Sequence, residues 1–132
     1  MPDAFRCTII TPQQQVFDGQ VNYISLPAWD GQLGIEINRA PLLVQLGDGI
    51  LTLKQQGSET KLLFVSGGFA QMTGEQLTIL TDTALSAAEI QAPEVQAALQ
   101  AALAQVARTD EEQRRKTRQI ARARAMLELA AK

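Results

Sequence analysis

Histidine is absent from the 132 residues of this chain. Its absence removes the usual general base near neutral pH, the Ser-His and Cys-His dyads, and most zinc sites. Cysteine occurs once, at Cys7, so an internal disulfide is excluded. The strand-like run FRCTII around it makes Cys7 a small buried apolar group, and a reducing compartment fits without being required. Aromatics are only 5% of the residues, so Val, Ile, Leu and Ala must fill the core that a 45% apolar content permits. No apolar run approaches membrane-spanning length. The opening MPDAFRCTIITPQQQ lacks the apolar stretch of a secretion signal and the Arg/Ser-rich character of a transit peptide. These absences point to one globular domain in the cytosol, or held at a membrane only through a partner.

What is present falls into two grammars. Up to about Thr83 the chain reads as short strands. FRCTIIT, QVNYISLP, GILTLKQQ, TKLLFVSGGFAQM and QLTILTD are separated by DG, GDG, QGSE, SGG and TGEQ, all turn chemistry at short spacing. QVNYISLP reads as one alternating strand, with Val21, Tyr23 and Ser25 on one face and Asn22, Ile24 and Leu26 on the other. GILTLKQQ places Leu51 and Leu53 opposite Ile50, Thr52 and Lys54. Many short strands with Gly-rich turns predict a sandwich or barrel, and no spacing suggests a parallel sheet.

Glycine disappears after Gly74, and from Ser86 onward alanine dominates. Ser86 with Glu89 fits a capping box, and Pro93 suits a first helical turn. Val95, Leu99, Ala102 and Val106 then recur on one helical face. Thr109 with Glu112 marks a second helix start, after which Ile120, Ala123, Leu127 and Ala130 form the next face. The predicted architecture is a mainly β sandwich or barrel over residues 1–85. An antiparallel α-helical hairpin follows over 86–132, linked at about Ala107–Asp110. Isolated helices of this length are marginal in water, so the alanine-rich pair must lean on something, and a mobile element fits.

Charge divides the same way. Residues 1–107 carry ten acids and four bases, a net −6, whereas 108–132 carry eight bases and four acids, a net +4. No acid interrupts Arg114 to Arg124. This run is either a solvated helix face or a docking surface for an acidic partner. Acids at the helix start and bases later also suit the helix dipole.

Catalysis has little support. DGQLGIEINRAPLLVQLGDGIL holds four of the nine glycines but no phosphate-loop pattern, and its GDG precedes a strand where a phosphate loop would open a helix. VSGGFA lacks the serine-nucleophile pattern and has no base to activate it. Asp30, Asp48 and Asp82 sit at turn-like positions, where carboxylates satisfy backbone N–H groups. No carboxylate spacing suggests a metal, and neither metal nor cofactor is expected. The Arg run lacks interleaved aromatics and belongs to an acidic chain, which argues against nucleic acid. The helices lack the Trp and Phe of a membrane-surface helix. The residues alone thus favour protein–protein work. A free-standing adaptor whose basic hairpin binds an acidic protein or nucleic acid stays open, and a hydrolase using Asp30 or Asp82 is a weaker third reading.

The order of several short motifs goes further. TPQQQVFDGQVNYISLPAWDGQLGI, with Thr11-Pro12 ahead of Val16-Phe17-Asp18-Gly19, resembles the opening of the epsilon subunits of F-type ATP synthases, called delta in mitochondria. Asp30-Gly31-Gln32-Leu33-Gly34-Ile35, APLLVQLGDGIL, FVSGGFAQM, TILTDTA and IARARAMLELA are similar to that family's later segments, in order, over nearly the whole chain.

The resemblance implies a non-catalytic central-stalk subunit, peripheral on the cytoplasmic face of a bacterial membrane or the stromal face of a thylakoid. Its sandwich would pack on the gamma shaft and the membrane c-ring. Its hairpin would either fold on the sandwich or extend to the catalytic beta subunits and inhibit ATP hydrolysis. The ring and shaft docking residues would be Trp29, Asp30, Gly31, Gln32 and Arg39, with Trp29 alternatively a core residue. The inhibitory contact would be Arg115, Arg118 and Arg122, which share a helix face at i, i+3 and i+7. Two departures stand out. Ile37, Asn38 and Arg39 occupy the family's usual Pro, Gly and His positions. Gln91, Glu94 and Val95 replace the Asp, Arg and Ala of the nucleotide motif that some members carry, so no ATP site is expected.

Overall fold

The phase of the buried residues sets the strands. In the computed structural model, which describes residues 4–36, 41–58 and 60–131, most of the buried apolar residues of the strands alternate into one interior. Phe5, Cys7 and Ile9 of β1 (Phe5–Ile10) are sealed from solvent, and Arg6 and Thr8 face outward. Burial pushes the Cys7 thiol up to about 12 and keeps it protonated. β2 (Gln15–Val21) pairs with β1, and β8 (Phe69–Thr73) and β9 (Gln76–Leu80) continue the alternation through Ala70, Met72, Leu77 and Ile79. With β5 (Leu42–Gln45) they form a first sheet in the order β2-β1-β9-β8-β5. A second sheet runs β10-β7-β6-β3-β4, from β3 (Tyr23–Ala28), β4 (Gly31–Glu36), β6 (Asp48–Lys54), β7 (Lys61–Ser66) and β10 (Thr83–Leu85). Ile24, Leu26, Ile35, Leu51, Leu53 and Val65 close the core from that side.

Two expectations about the strands needed correction. QVNYISLP is not one strand. Val21 and Ile24 are both fully buried, three positions apart, which an unbroken strand of period two cannot achieve. The chain breaks at Asn22, whose N–H donates to the Lys54 carbonyl at 2.7 Å, and passes from the first sheet to the second. The sheets are also not wholly antiparallel: β1 pairs with β9 in parallel, Arg6 opposite Gln76. That pairing joins segments about as distant in sequence as the sandwich allows, so no local spacing announces it.

One glycine is required by close approach. Gly68 has φ +99°, and a Cβ there would collide with the Leu80 carbonyl oxygen and the Thr81 backbone.

The helices add a third layer. Ser86 and Glu89 do pair, the Ser86 N–H and Oγ each donating to the Glu89 carboxylate at 3.0 Å. They open only a single 3-10 turn, Ala87–Glu89, rather than the α-helix expected there. α1 (Ala92–Ala104) begins later, with Pro93 in its first turn. It ends before Val106, which is 75% exposed and leaves the apolar face proposed for it. Thr109 caps α2 (Asp110–Ala130) as expected: its side chain accepts from the Glu112 N–H at 3.1 Å, and Glu112 accepts from the Thr109 N–H at 3.2 Å.

It is α2 that lies on β6 and β7, while α1 packs on α2. Leu129 meets Phe64 and Ile90 in a second, smaller apolar cluster with Ile50, Leu62, Leu85, Val95, Ala125 and Met126 around it. This explains the unbroken apolar run in β7. Leu63 and Val65 face the sandwich core while Leu62 and Phe64 face the hairpin.

Candidate interaction surfaces

The two outer faces of the sandwich differ. On the second sheet α2 lies over β6 and β7. The first sheet leaves Leu43, Phe69 and Leu80 open, at 68%, 52% and 52% exposure. Phe69 lies directly opposite Leu80 on one side and Gln45 on the other. A concavity of about 450 Å³ between Ile10, Pro12, Phe69 and Leu80 continues this surface. These residues escaped the sequence reading, although a signal was there. Phe69 and Leu80 fall on the outward phase of strands whose inward phase already holds Ala70, Met72, Leu77 and Ile79. A large apolar side chain on that phase marks an interaction surface when it has neighbours of its kind.

The Trp29 turn borders this patch. The Trp29 N–H donates to the Gln45 carbonyl at 3.0 Å, beside Phe69 in the ladder. Trp29 itself is 70% exposed, so it is not the core residue that one reading allowed. Trp29 and Asp30 form the two-residue tip between β3 and β4, followed by Gly31 at φ +135°. Gln32 is exposed but tied to the other sheet face, its amide donating to Ser25 Oγ at 3.3 Å and the Ile50 carbonyl at 3.4 Å. Arg39, with residues 37–40, lies outside the described residues.

The three arginines of the basic run meet three different surroundings. Arg115 approaches Glu111 at 3.6 Å, one turn back on its own helix and well exposed. Arg122 is half-buried with an Nε that meets no hydrogen-bond partner, and it lines a groove of about 450 Å³ between the helices, which Glu94 also lines. Arg118 crosses to the sandwich: its Nε donates to Asp48 Oδ2 at 2.7 Å and its Nη2 approaches Oδ1 at 3.4 Å. Lys116 is also engaged, donating to the Gln105 carbonyl at 2.7 Å just past the end of α1.

Asp48 was expected to serve a turn. It is instead the first residue of β6, opposite Ser66, whose Oγ donates to it at 2.7 Å. Burial alone would raise the Asp48 pKa. Hydrogen bonds from Arg118 and Ser66 and the charges of Arg118 and Arg122 outweigh it, and the pKa is lowered below the usual carboxylate value. The Arg118 guanidinium is raised in turn, by its hydrogen bond to Asp48, by the Asp48 charge and, more weakly, by Asp82. A carboxylate depressed on folding stabilises above its unfolded pKa, and that contribution is lost only as pH falls through the lower folded value. The Asp48–Arg118 pair therefore stays charged throughout the neutral range. Nothing local in the sequence signals this pair, because 70 residues separate its members.

Among the described residues, no group of three His, Cys, Asp or Glu side chains converges as a metal ion would require. No helix among them is long and apolar enough to cross a membrane.

Residues 4–87 match the family model for the ATP synthase delta/epsilon chain, β-sandwich domain. The chain belongs to the ATP synthase delta/epsilon family. Beyond the family's sandwich domain, the likeness to an ATP synthase epsilon chain of Rhodopirellula baltica runs through the hairpin. It is 34% identical over 124 residues, 94% of this chain and 96% of the relative. An ATP synthase epsilon chain of Granulibacter bethesdensis is 38% identical over 102 residues, 77% of this chain and 76% of that one. Among solved structures, a chain of the Euglena gracilis mitochondrial ATP synthase OSCP/F1/c-ring assembly superposes with a TM-score of 0.85. It covers 100% of this chain and 84% of its own length at 21% identity. One from the Tetrahymena thermophila central stalk and c-ring gives 0.73 at 16% identity, covering 95% of each chain. At those identities the likeness is one of fold, and it includes the helical hairpin of this delta/epsilon chain.

Proposed function

We propose that this chain is a non-catalytic central-stalk subunit of an F-type ATP synthase. In this reading the sandwich, residues 1–85, docks on the gamma shaft and reaches the membrane c-ring through the Trp29–Gln32 turn. The hairpin, residues 86–132, is the regulatory part: extended, it presents Arg115, Arg118 and Arg122 to the catalytic beta subunits and restrains ATP hydrolysis. The subunit would be peripheral, on the cytoplasmic face of a bacterial membrane or the stromal face of a thylakoid. The observation that carries the reading is the asymmetry of the sandwich. One face is occupied by the chain's own hairpin, while the other leaves Leu43, Phe69 and Leu80 open beside Trp29. A patch of that kind suits a permanent apolar partner. No nucleotide is assigned to the groove between the helices, where Glu94 would repel phosphate.

The test is ATP hydrolysis by the assembled complex at low ionic strength. Wild type is compared with a variant carrying Arg115→Ala, Arg118→Ala and Arg122→Ala and with a chain truncated before residue 108. Both changes are expected to raise the rate, with the truncation at least as effective. Equal rates with stoichiometric incorporation would remove the inhibitory role and leave a coupling role. Trp29→Ala with Gln32→Ala is expected to weaken coupling of hydrolysis to ion pumping. Normal coupling would take the turn out of the ring contact.

A further inference from the structure

α2 is held to the sandwich at two separate points. Toward its C-terminus the contact is apolar, with Leu129 and Met126 in the cluster around Phe64 and the small side chain of Ala125 beside them. Roughly 16 Å back along the helix axis is Arg118. Of the three ion pairs among the described residues, Arg118–Asp48 is the one that joins helix to sandwich. Its two sides are unequal: the Asp48 side chain is 11% exposed and the Arg118 side chain 61%. Asp48 is already oriented by Ser66, so the sandwich offers a fixed acceptor to a guanidinium arriving from solvent. The charged groups facing Asp48 are Arg118 and Arg122 of α2, and Asp82, beyond β9, acts on Arg118 from the sandwich side.

We propose that Asp48 is an internal stand-in for the acidic partner of the hairpin, a latch that occupies Arg118 while the hairpin is docked. An acidic surface can then recruit Arg118 only by displacing Asp48. This inference rests on the hairpin's proposed movement, and it adds the residue pair that sets the balance between docked and extended forms. The pair stays ionised at neutral pH, so the latch answers to ionic strength and competing carboxylates rather than to protons.

The inequality of the two sides gives an unusual prediction. Asp48→Asn keeps the shape and the Ser66 contact and releases Arg118 into water, where it is readily solvated. Arg118→Gln leaves a mostly buried carboxylate without its main partner, which costs more. Hydrogen exchange of the α2 amides between residues 119 and 130, in the isolated full-length chain, reads the docking equilibrium. Asp48→Asn is expected to speed that exchange about tenfold, between the small effect of an exposed pair and the large one of a buried pair. Arg118→Gln should speed it at least as much, and the double variant should be no worse than Asp48→Asn alone. Added salt should speed exchange in wild type and not in Asp48→Asn. Wild-type protection in both single variants would overturn the latch. In the assembled complex, Asp48→Asn should lower ATP hydrolysis, because its arginines are intact and freer to act. Faster exchange with unchanged hydrolysis would keep the latch and overturn the inhibitory reading instead.

Discussion

The sandwich and the hairpin are built from different materials. The sandwich interior is filled by Phe5, Ile9, Ile24, Leu26, Ile35, Leu51, Leu53, Met72, Leu77 and Ile79, all but sealed from water. Its β1–β9 ladder joins the two ends of the unit, Arg6 opposite Gln76. The hairpin reaches the sandwich through Leu129, a few partly buried neighbours and one ion pair. Alanine lets helices approach closely but buries little area, so the docked state gains little from each residue it covers. One chain thus carries a unit held by a continuous core and a second unit held to it by a small apolar cluster and one ion pair.

Three substitutions sharpen that contrast. The largest effect is expected in the sandwich, where Leu51→Ala should cost about 2–5 kcal/mol of stability through the cavity it leaves. Denaturant unfolding followed by circular dichroism would show one lowered midpoint for the whole β unit. Undocking of the hairpin with an unchanged sandwich midpoint would mean the two units are not distinguished by packing.

Next comes Leu129→Ala. The same deletion at the hairpin contact should open the hairpin rather than unfold the β-sheets. It should remove at most about 2 kcal/mol, because the freed helices escape the rest of the cost by leaving. Proteolysis within 105–109 should accelerate while the sandwich midpoint holds, and a fall in that midpoint would show that the hairpin braces the core. The smallest effect is expected from Thr109→Ala, which removes the α2 cap and should cost about 1 kcal/mol, confined to the first turn of that helix. Amide exchange near Glu112 should rise without change at Leu129. Loss of protection along all of α2 would mean that the cap supports docking as well.

Much of the sandwich was legible because burial on one face writes itself into alternation: Leu51 and Leu53 lie inward as their spacing required. The Thr109 cap was legible for a similar reason, since both partners lie within one turn. Ser86 and Glu89 form the same local pair, yet only a 3-10 turn follows, because Ile90 is drawn into the cluster with Phe64 and Leu129. Val106 misled by extending a helical period past the end of its helix.

The sequence by itself determined the two units, the alternating core, the glycine corners and the basic second helix. Each of these follows from residue type and spacing within a few positions. Only the tertiary structure decided the break at Asn22, the parallel β1–β9 pairing, which sandwich face the hairpin covers and which it leaves open, and the engagement of Arg118 by Asp48. Those depend on surfaces that meet across the fold, and a charge or apolar side chain carries no mark of its partner until the backbone has brought the two together.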